Sequence, residues 1–318
     1  MMKARHILLY SMGALLLMTA CQNNDNDGQD GWNGEIRLQA VQQGSTRAVT
    51  NVQSTQFRNG QEVAVFINEH DQDPDAANKT DYPQPLVFTV SDDEGTLTIS
   101  NAEAPVFPHN SAHGIDVYAT YPSSVVGVGT FTVRPQQVLA DDYMASDLMY
   151  GVAPEDVRRT ATVVPLSFTH QLTKFVVRLE AASGSSLFKG ATVELLGIKP
   201  SVPITACNMT GMTLGEATGV ATDILMTDNY NNDTEQPEAN EGCAAVIVPQ
   251  EKGKGELIRI TLLDGTQRTF RLREAMTFES GKVYTYVISL YMSSLSLRCE
   301  VTPWTDSDQP MNGTFMVE

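Results

Sequence analysis

The sequence predicts an all-β protein built from two β-sandwich domains in tandem. Apolar residues alternate with polar ones along residues 115–121, 258–262 and 295–301, which is the pattern of strands with one buried and one solvated face. Turns rich in glycine and proline separate many short apolar runs, and helical periodicity is almost absent. A chain of 318 residues has the length for two such domains.

Turn chemistry places hairpins between several of these runs. Asp92–Gly95 separates one pair of apolar runs and Asp264–Gly265 separates another, so both segments predict β-hairpins. Helical signals are few. Asp156–Thr160 and Leu272–Met276 are each expected to form about one helical turn.

A long strand-like segment begins near the middle of the chain. Its apolar positions, from Val164 onward, change phase between Leu172 and Phe175, which predicts a bulge or a sharp bend. We place the boundary between the domains just before this segment. The expected domains are therefore residues 35–160, an N-terminal β-sandwich, and residues 161–318, a C-terminal β-sandwich.

The N-terminus is typical of a secretory signal. Lys3 and Arg5 precede an apolar run from Ile7 to Leu17, and small residues then lead directly to Cys21. The apolar run is shorter than the roughly 20 residues of a membrane-spanning helix. Residues 1–20 are therefore predicted to be a signal peptide, with Cys21 as the lipidated first residue of a lipoprotein; an ordinary signal with an incidental cysteine is the alternative.

The segment after Cys21 is acidic and polar. Residues 21–34 contain little that can bury apolar surface, so we expect a flexible tether. The formal net charge of −17 excludes nucleic acid and anionic lipid surfaces as favoured partners. Cys207, Cys243 and Cys299 are widely spaced; one disulfide among them is left open, and no zinc pattern is present.

Two groups of residues contain side chains of the types that bind metal ions. His109 and His113 lie four apart, but in a segment rich in proline, asparagine and glycine where helical spacing is implausible. Asp71, Asp73 and Asp75 resemble the start of a calcium loop that lacks its glycine and its closing glutamate. A solvated acidic loop is the better interpretation, and we predict no metal site.

Catalytic motifs are absent from the sequence. It has no nucleophile elbow, phosphate-binding loop or zinc-protease signature, so we expect neither enzymatic activity nor a cofactor. His170 is interpreted as a hydrogen-bonded packing residue rather than a base. Trp32 and Trp304 are candidate sugar platforms, although Trp304 follows a strand and Pro303, which favours an edge or capping role.

Several segments in order along the chain resemble the fimbrillins, the FimA-like and Mfa-like subunits of type V pili in anaerobic Gram-negative bacteria. Besides the lipoprotein signal, the segments are Ser45–Ala48, Phe57–Phe66, Ile115–Pro122, Ser146–Met149, Leu166–Lys174, Gly281–Tyr286 and Val301–Trp304. Each is short, but their order and spacing extend over nearly the whole chain after the signal.

The resemblance implies a fold and a route of assembly. Fimbrillins have two transthyretin-like, Greek-key β-sandwich domains and reach the outer membrane as surface-exposed lipoproteins. A trypsin-like protease then cuts after an arginine near the N-terminus and releases the first strand with its lipid anchor. By resemblance, the cut in this chain falls between Arg47 and Ala48. Another subunit then inserts a strand into the exposed groove.

The exchanged strand is expected within Glu35–Val41. Its apolar residues Ile36, Leu38 and Ala40 are spaced by two, as a strand that fills a groove requires. The expected partners are other fimbrial subunits, the protease, and a host or bacterial surface receptor or glycan. The resemblance extends to stalk, anchor and tip subunits alike. A permanently anchored, glycan-binding surface lipoprotein is the alternative function, and a hydrolase is a remote third.

Overall fold

The computed structural model describes residues 31–42, 57–70, 82–99, 102–109, 113–127, 129–181, 188, 190–227, 242–290, 295–304 and 314–316. Within them the structure contains twenty-one strands, one short α-helix, α1, at Ala140–Ala145, and one 3₁₀ turn at Ser123–Val125. The strands are β1 Leu38–Gln42, β2 Glu62–Glu69, β3 Leu86–Val90, β4 Thr96–Thr98, β5 Ile115–Tyr121, β6 Thr130–Thr132, β7 Met149–Val152, β8 Val164–His170, β9 Thr173–Ala181, β10 Thr192–Ile198, β11 Ser201–Asn208, β12 Gly211–Leu214, β13 Thr222–Leu225, β14 Cys243–Ile247, β15 Gln250–Lys252, β16 Gly255–Thr261, β17 Gln267–Leu272, β18 Met276–Phe278, β19 Lys282–Leu290, β20 Leu295–Pro303 and β21 Thr314–Met316.

Seven strands between residues 38 and 170 form a closed sheet in the order β1-β4-β3-β2-β5-β7-β8. Alternate residues of each strand face the interior of this closed sheet, because successive side chains of a strand point to opposite sides. Val63, Val65 and Ile67 of β2 illustrate this, with at most 1% of their surface exposed. Leu166 and Phe168 of β8 are buried to the same extent. We refer to this closed sheet as the barrel.

The remaining strands, β6 and those from β9 onward, form four further sheets. They are a four-stranded sheet β13-β10-β16-β17, a three-stranded sheet β12-β11-β6, a five-stranded sheet β14-β9-β19-β20-β21 and the pair β15-β18. Phe175 lies in the core between them, in edge contact with Phe278 at a ring-centroid distance of 5.5 Å and stacked on Tyr286 at 4.8 Å. Residues of α1 and β6 join the same hydrophobic cluster.

The chain passes from the barrel to the five-stranded sheet at Gln171–Leu172, between β8 and β9. The sharp bend predicted from the change of phase near Leu172 is thereby confirmed. β8 still belongs to the barrel, so the change of sheet follows this strand rather than preceding it. Residues 34–318 cluster as one compact unit and residues 1–33 as another. The division into sandwiches of residues 35–160 and 161–318 stays a prediction.

The predicted all-β class is confirmed, because nearly all of the regular secondary structure in the described residues is strand. Both predicted hairpins are present, with β3 paired to β4 and β16 paired to β17, antiparallel in each case. The two predicted helical turns are wrong. Leu272 ends β17 and Met276 begins β18, while Asp156 takes a positive φ of 52° that ends helical geometry. The residues described include no helix long and apolar enough to cross a bilayer.

Candidate functional site

Strand β1 occupies the position at which the barrel closes. It runs parallel to β8 over five residue pairs, from Leu38 opposite Val164 to Gln42 opposite Phe168, and antiparallel to β4 over two. The Ala40 N–H donates to the Gly95 carbonyl at 2.8 Å, so β1 is also held beyond its regular pairs. Without β1, the facing edges of β4 and β8 would lose the partner that lies between them.

The side chains of β1 alternate as the sequence predicts. Ile36, Leu38 and Ala40 are buried in the barrel, with 2%, 1% and 5% of their surface exposed. Gln42 continues the series at 6%, and its Nε2 lies 3.5 Å from the Met149 sulfur. The outward-facing Val41 is 38% exposed. The structure therefore buries all three predicted residues, Leu38 and Ala40 within β1 and Ile36 two residues before it, with the spacing that a groove-filling strand needs; their exchange stays a prediction.

Phe57 also belongs to this site, although the periodicity of the strands does not predict it. It is 4% exposed, and its ring makes edge contacts with Phe168 at 4.8 Å and with Tyr121 at 5.6 Å. It also lines a cleft of about 250 Å³ beside β1, together with residues 39–42 and 93–95. Phe57 is not part of an alternating strand pattern. The only feature of the sequence that could have predicted its burial is an aromatic residue just before the Asn59–Gly60 turn.

The β3–β4 turn approaches β1 closely. Gly95 has a φ of 86°, and a Cβ built on it would lie 2.2 Å from the Ala40 carbonyl oxygen, so a side chain at this position would collide with β1. The turn is held by Asp92, whose carboxylate accepts the N–H groups of Thr96 at 2.9 Å and Glu94 at 3.0 Å. Hydrogen bonds from the Thr96 side chain and from these N–H groups lower the pKa of Asp92.

The predicted processing sites lie outside the described residues. This applies to the signal peptide, to Cys21, to residues 21–30 of the tether and to Arg47 and Ala48. Their order along the chain still matters. Because Arg47 follows Gln42 and precedes Phe57, a cut after Arg47 would separate β1 from all the other described strands, and Phe57 would stay with the larger fragment.

Trp304 has the capping role that its position favoured. It is 7% exposed, its backbone N–H donates to the Gly281 carbonyl at 2.7 Å, and its indole ring stacks on His170. A sugar platform at Trp304 is therefore wrong, because a stacking face must be accessible. His170 is a buried packing residue, as predicted, but neither of its ring nitrogens makes the expected hydrogen bond of regular geometry. Trp32 is partly exposed.

The remaining candidate residues do not form a metal-binding cluster in the described ranges. His113 contacts Glu69 and His109 is exposed, so the two histidines do not act together. Asp71, Asp73 and Asp75 lie outside the described residues. Cys207, Cys243 and Cys299 form no disulfide with one another, and burial raises the pKa of Cys207. The disulfide that the sequence left open is absent.

Comparison with known proteins identifies the family. The fimbrillin-like family model matches residues 46–304, most of the chain. The chain belongs to the fimbrillin-like family. The resemblance seen in the sequence is thereby confirmed. The matched region of this fimbrillin-like chain begins next to Arg47, so β1 precedes it. None of the curated proteins matches the chain.

Two solved structures have a similar fold. A candidate cell adhesion protein from Bacteroides uniformis aligns with a TM-score of 0.61 and 19% identity, over 86% of this fimbrillin-like chain and 100% of its own length. A candidate cell adhesion protein from Bacteroides ovatus aligns with a TM-score of 0.62 and 18% identity, over 85% and 97% respectively. At this identity the likeness concerns the fold.

Proposed function

We propose that this fimbrillin-like protein is a structural or adhesive subunit of cell-surface fimbriae, assembled by β-strand exchange after removal of its first strand. The observation that carries the proposal is the placement of β1. One short strand, N-terminal to the candidate cut at Arg47, closes the barrel and buries Leu38 and Ala40, and Ile36 is buried just before it.

The physical basis of exchange lies in what β1 covers. Its departure would leave backbone N–H and C=O groups of β4 and β8 without partners, which makes their edges a template for a new strand. It would also uncover the apolar interior that Ile36, Leu38 and Ala40 fill. A strand from another subunit, with apolar residues at alternate positions, would restore both the hydrogen bonds and the burial.

The lipid on Cys21 fits this route as a means of delivery. In our proposal, residues 1–20 direct export, and the acylated Cys21 holds the precursor at the outer membrane with its folded part at the surface. A trypsin-like protease then cuts after Arg47, so that the anchor and β1 leave together. No cofactor or enzymatic activity is required, and other fimbrial subunits are the principal partners.

The alternative of a permanently anchored glycan-binding lipoprotein was motivated by the anchor, the sandwich domains and the possibility of exposed tryptophans, and the last of these is weakened. Trp304 is buried against His170. No observation in the described residues favours a permanent anchor over exchange, so we propose a single function.

An Arg47→Ala variant tests the cleavage step. The variant should remain full-length on cells and stay out of fibres, whereas Arg58→Ala, which removes the next arginine along the chain, should be processed and incorporated normally. Wild-type protein recovered from fibres should begin at Ala48. Normal incorporation of Arg47→Ala, or fibres whose subunits begin at Cys21, would contradict the proposal.

Strand capture can be measured separately with the chain beginning at Ala48. A fluorescent peptide of residues 35–42 should bind this shortened chain, because it can reoccupy the site of β1. The matched control is the same peptide with serine in place of Ile36, Leu38 and Ala40, which keeps the backbone but loses the buried side chains. Equal binding of the two peptides would argue against a groove that recognises the alternate apolar side chains of the inserted strand.

A further inference from the structure

A cavity away from β1 lies between the outer face of the barrel and strand β11. Its volume is about 360 Å³, within the range of about 300–1,000 Å³ typical of small-molecule sites. It is lined by Phe66 of β2, Thr120 of β5, residues 125–127 and 129, and residues 204–207 of β11.

A row of three aromatic rings ends at one wall of the cavity. Phe66 pairs with Tyr118 across β2 and β5, and their rings stack at 4.6 Å with an interplanar angle of 3°. Tyr118 in turn stacks on Tyr150 at 6.3 Å. The Tyr150 hydroxyl donates to the Asn208 carbonyl at 2.9 Å, which fixes the β11–β12 turn over that end of the row. Phe66, at the other end, is partly exposed in the cavity.

A hydroxyl group without a partner lies at the same place. Thr120 is 2% exposed and lines the cavity, yet its Oγ1 has no hydrogen-bond partner. A buried hydroxyl in this state destabilises the folded protein, and valine would have nearly the same shape without that cost. The neighbouring Thr205 and Cys207 also line the cavity, and the Thr205 hydroxyl, which donates to the Thr213 carbonyl at 3.1 Å, can still accept a hydrogen bond.

Charge is absent from this lining. None of its residues is Asp, Glu, Lys, Arg or His, so an ionised ligand would find no opposite charge to replace its hydration. An uncharged ligand that has one apolar face and several hydroxyl groups matches the aromatic ring of Phe66 and the hydroxyl groups of Thr120 and Thr205.

We propose that this cavity binds a neutral saccharide, with the C–H face of one pyranose ring against Phe66 and ring hydroxyl groups directed at Thr120 and Thr205. The site would give an adhesive subunit its ligand. It does not depend on β1 or on cleavage at Arg47, so binding can be measured on the uncut chain whatever the outcome of the assembly experiments.

Two variants and a matched control test the site. Gly129 lines the cavity, has no positive φ, and a Cβ on it would meet nothing within 4 Å, so Gly129→Leu should fill the cavity without backbone strain. Gly253 also has open space and no positive φ but is not among the residues that line the cavity, which makes Gly253→Leu the control. Thr120→Val removes only the unpartnered hydroxyl.

The measurement is saturation-transfer NMR on the purified full chain, with glucose, galactose, mannose, N-acetylglucosamine, N-acetylgalactosamine and their disaccharides as probes. At least one probe should bind the wild type and Gly253→Leu equally and fail to bind Gly129→Leu. Thr120→Val should weaken binding by about tenfold while leaving thermal stability unchanged or raised.

Three outcomes would overturn the proposal. They are the absence of binding for every neutral probe, binding that Gly129→Leu leaves intact, and binding that Thr120→Val leaves intact. If the first outcome is accompanied by binding of an apolar dye to the cavity, the site selects for apolar character alone.

Discussion

The imidazole of His170 lies flat against the indole of Trp304, with ring centroids 3.8 Å apart and an interplanar angle of 2°. His170 ends β8, the last strand of the barrel, and Trp304 directly follows β20 of the five-stranded sheet. The stack therefore joins the barrel to the five-stranded sheet at the point where the chain passes from one to the other. The His170 Nδ1 also lies 2.8 Å from an Asp147 carboxylate oxygen, and both side chains are almost fully buried.

Replacing His170 tests this junction. In His170→Ala the Asp147 carboxylate would stay buried without its partner, so we expect the free energy of unfolding to fall by about 3–5 kcal/mol. Loss of the stack on Trp304 adds about 1 kcal/mol. The exposed His109 is the control, since His109→Ala should change stability by less than about 0.5 kcal/mol. Urea unfolding measures both, and similar values for the two variants would contradict a structural role for the stack.

Local patterning predicted much of this fold. The alternation at residues 115–121 coincides with β5, and the acidic turns at Asp92–Gly95 and Asp264–Gly265 connect paired strands as expected. These features depend on neighbours in sequence: a strand half-buried in a sheet must alternate, and a tight turn needs residues that tolerate it. Such constraints can be read from one segment at a time.

Closure of the barrel could not be predicted in the same way. It requires Leu38 to lie opposite Val164 in a parallel pair, across more than a hundred residues, and alternation in each strand is compatible with many partners. The edge of β14 gives a second example. Gln136 and Gln137 are adjacent and chemically identical, yet only Gln137 is fully buried, because the surrounding strands decide which one faces inward.

Close packing of Gly95 against β1 leads to a prediction with a built-in control. Gly95 and Gly60 have nearly equal φ values, 86° and 89°, so alanine at either position should cost about 1–2 kcal/mol of backbone strain. Only at Gly95 does the added Cβ meet a neighbour, the Ala40 carbonyl oxygen of β1. We expect Gly95→Ala to cost about 1–3 kcal/mol more than Gly60→Ala in urea unfolding.

The same pair of variants should differ in how firmly the β3–β4 turn holds β1. The Ala40 amide, which donates to the Gly95 carbonyl, should exchange its hydrogen faster in Gly95→Ala than in Gly60→Ala. If exchange at Ala40 is equal in the two variants, the turn does not secure β1.

Gln137 closes the outer edge of β14. Its side-chain Oε1 accepts the Val246 N–H at 2.8 Å, and its Nε2 donates to the Val246 carbonyl at 2.8 Å, as a neighbouring strand would do. Gln137→Ala should leave both groups buried without partners and lower the free energy of unfolding by about 2–4 kcal/mol. The exposed edge should also promote self-association, visible by light scattering. Gln136→Ala, at an exposed neighbour, should do neither; an equal response would exclude the edge-capping role.

Cys207 offers a chemical probe of the proposed saccharide cavity. It is the one partly exposed thiol among the described cysteines, whereas Cys243 and Cys299 are buried. Burial raises the pKa of Cys207, so less of the reactive thiolate is present at pH 8 than for an ordinary cysteine. In a Cys21→Ser chain, alkylation by iodoacetamide should therefore be slow and should still be accelerating above pH 9, beyond the ordinary thiol pKa of about 8.5.

The matched control for this experiment moves the thiol to the exposed rim. A chain with Cys207→Ser and Thr205→Cys should react faster at pH 8, and its rate should level off nearer the ordinary thiol pKa, because Thr205 is exposed. A saccharide that binds the cavity should slow alkylation of Cys207 and have no effect when Gly129→Leu is also present. Equal rates and equal pH midpoints for the two thiols would show that Cys207 is not shielded as its burial requires.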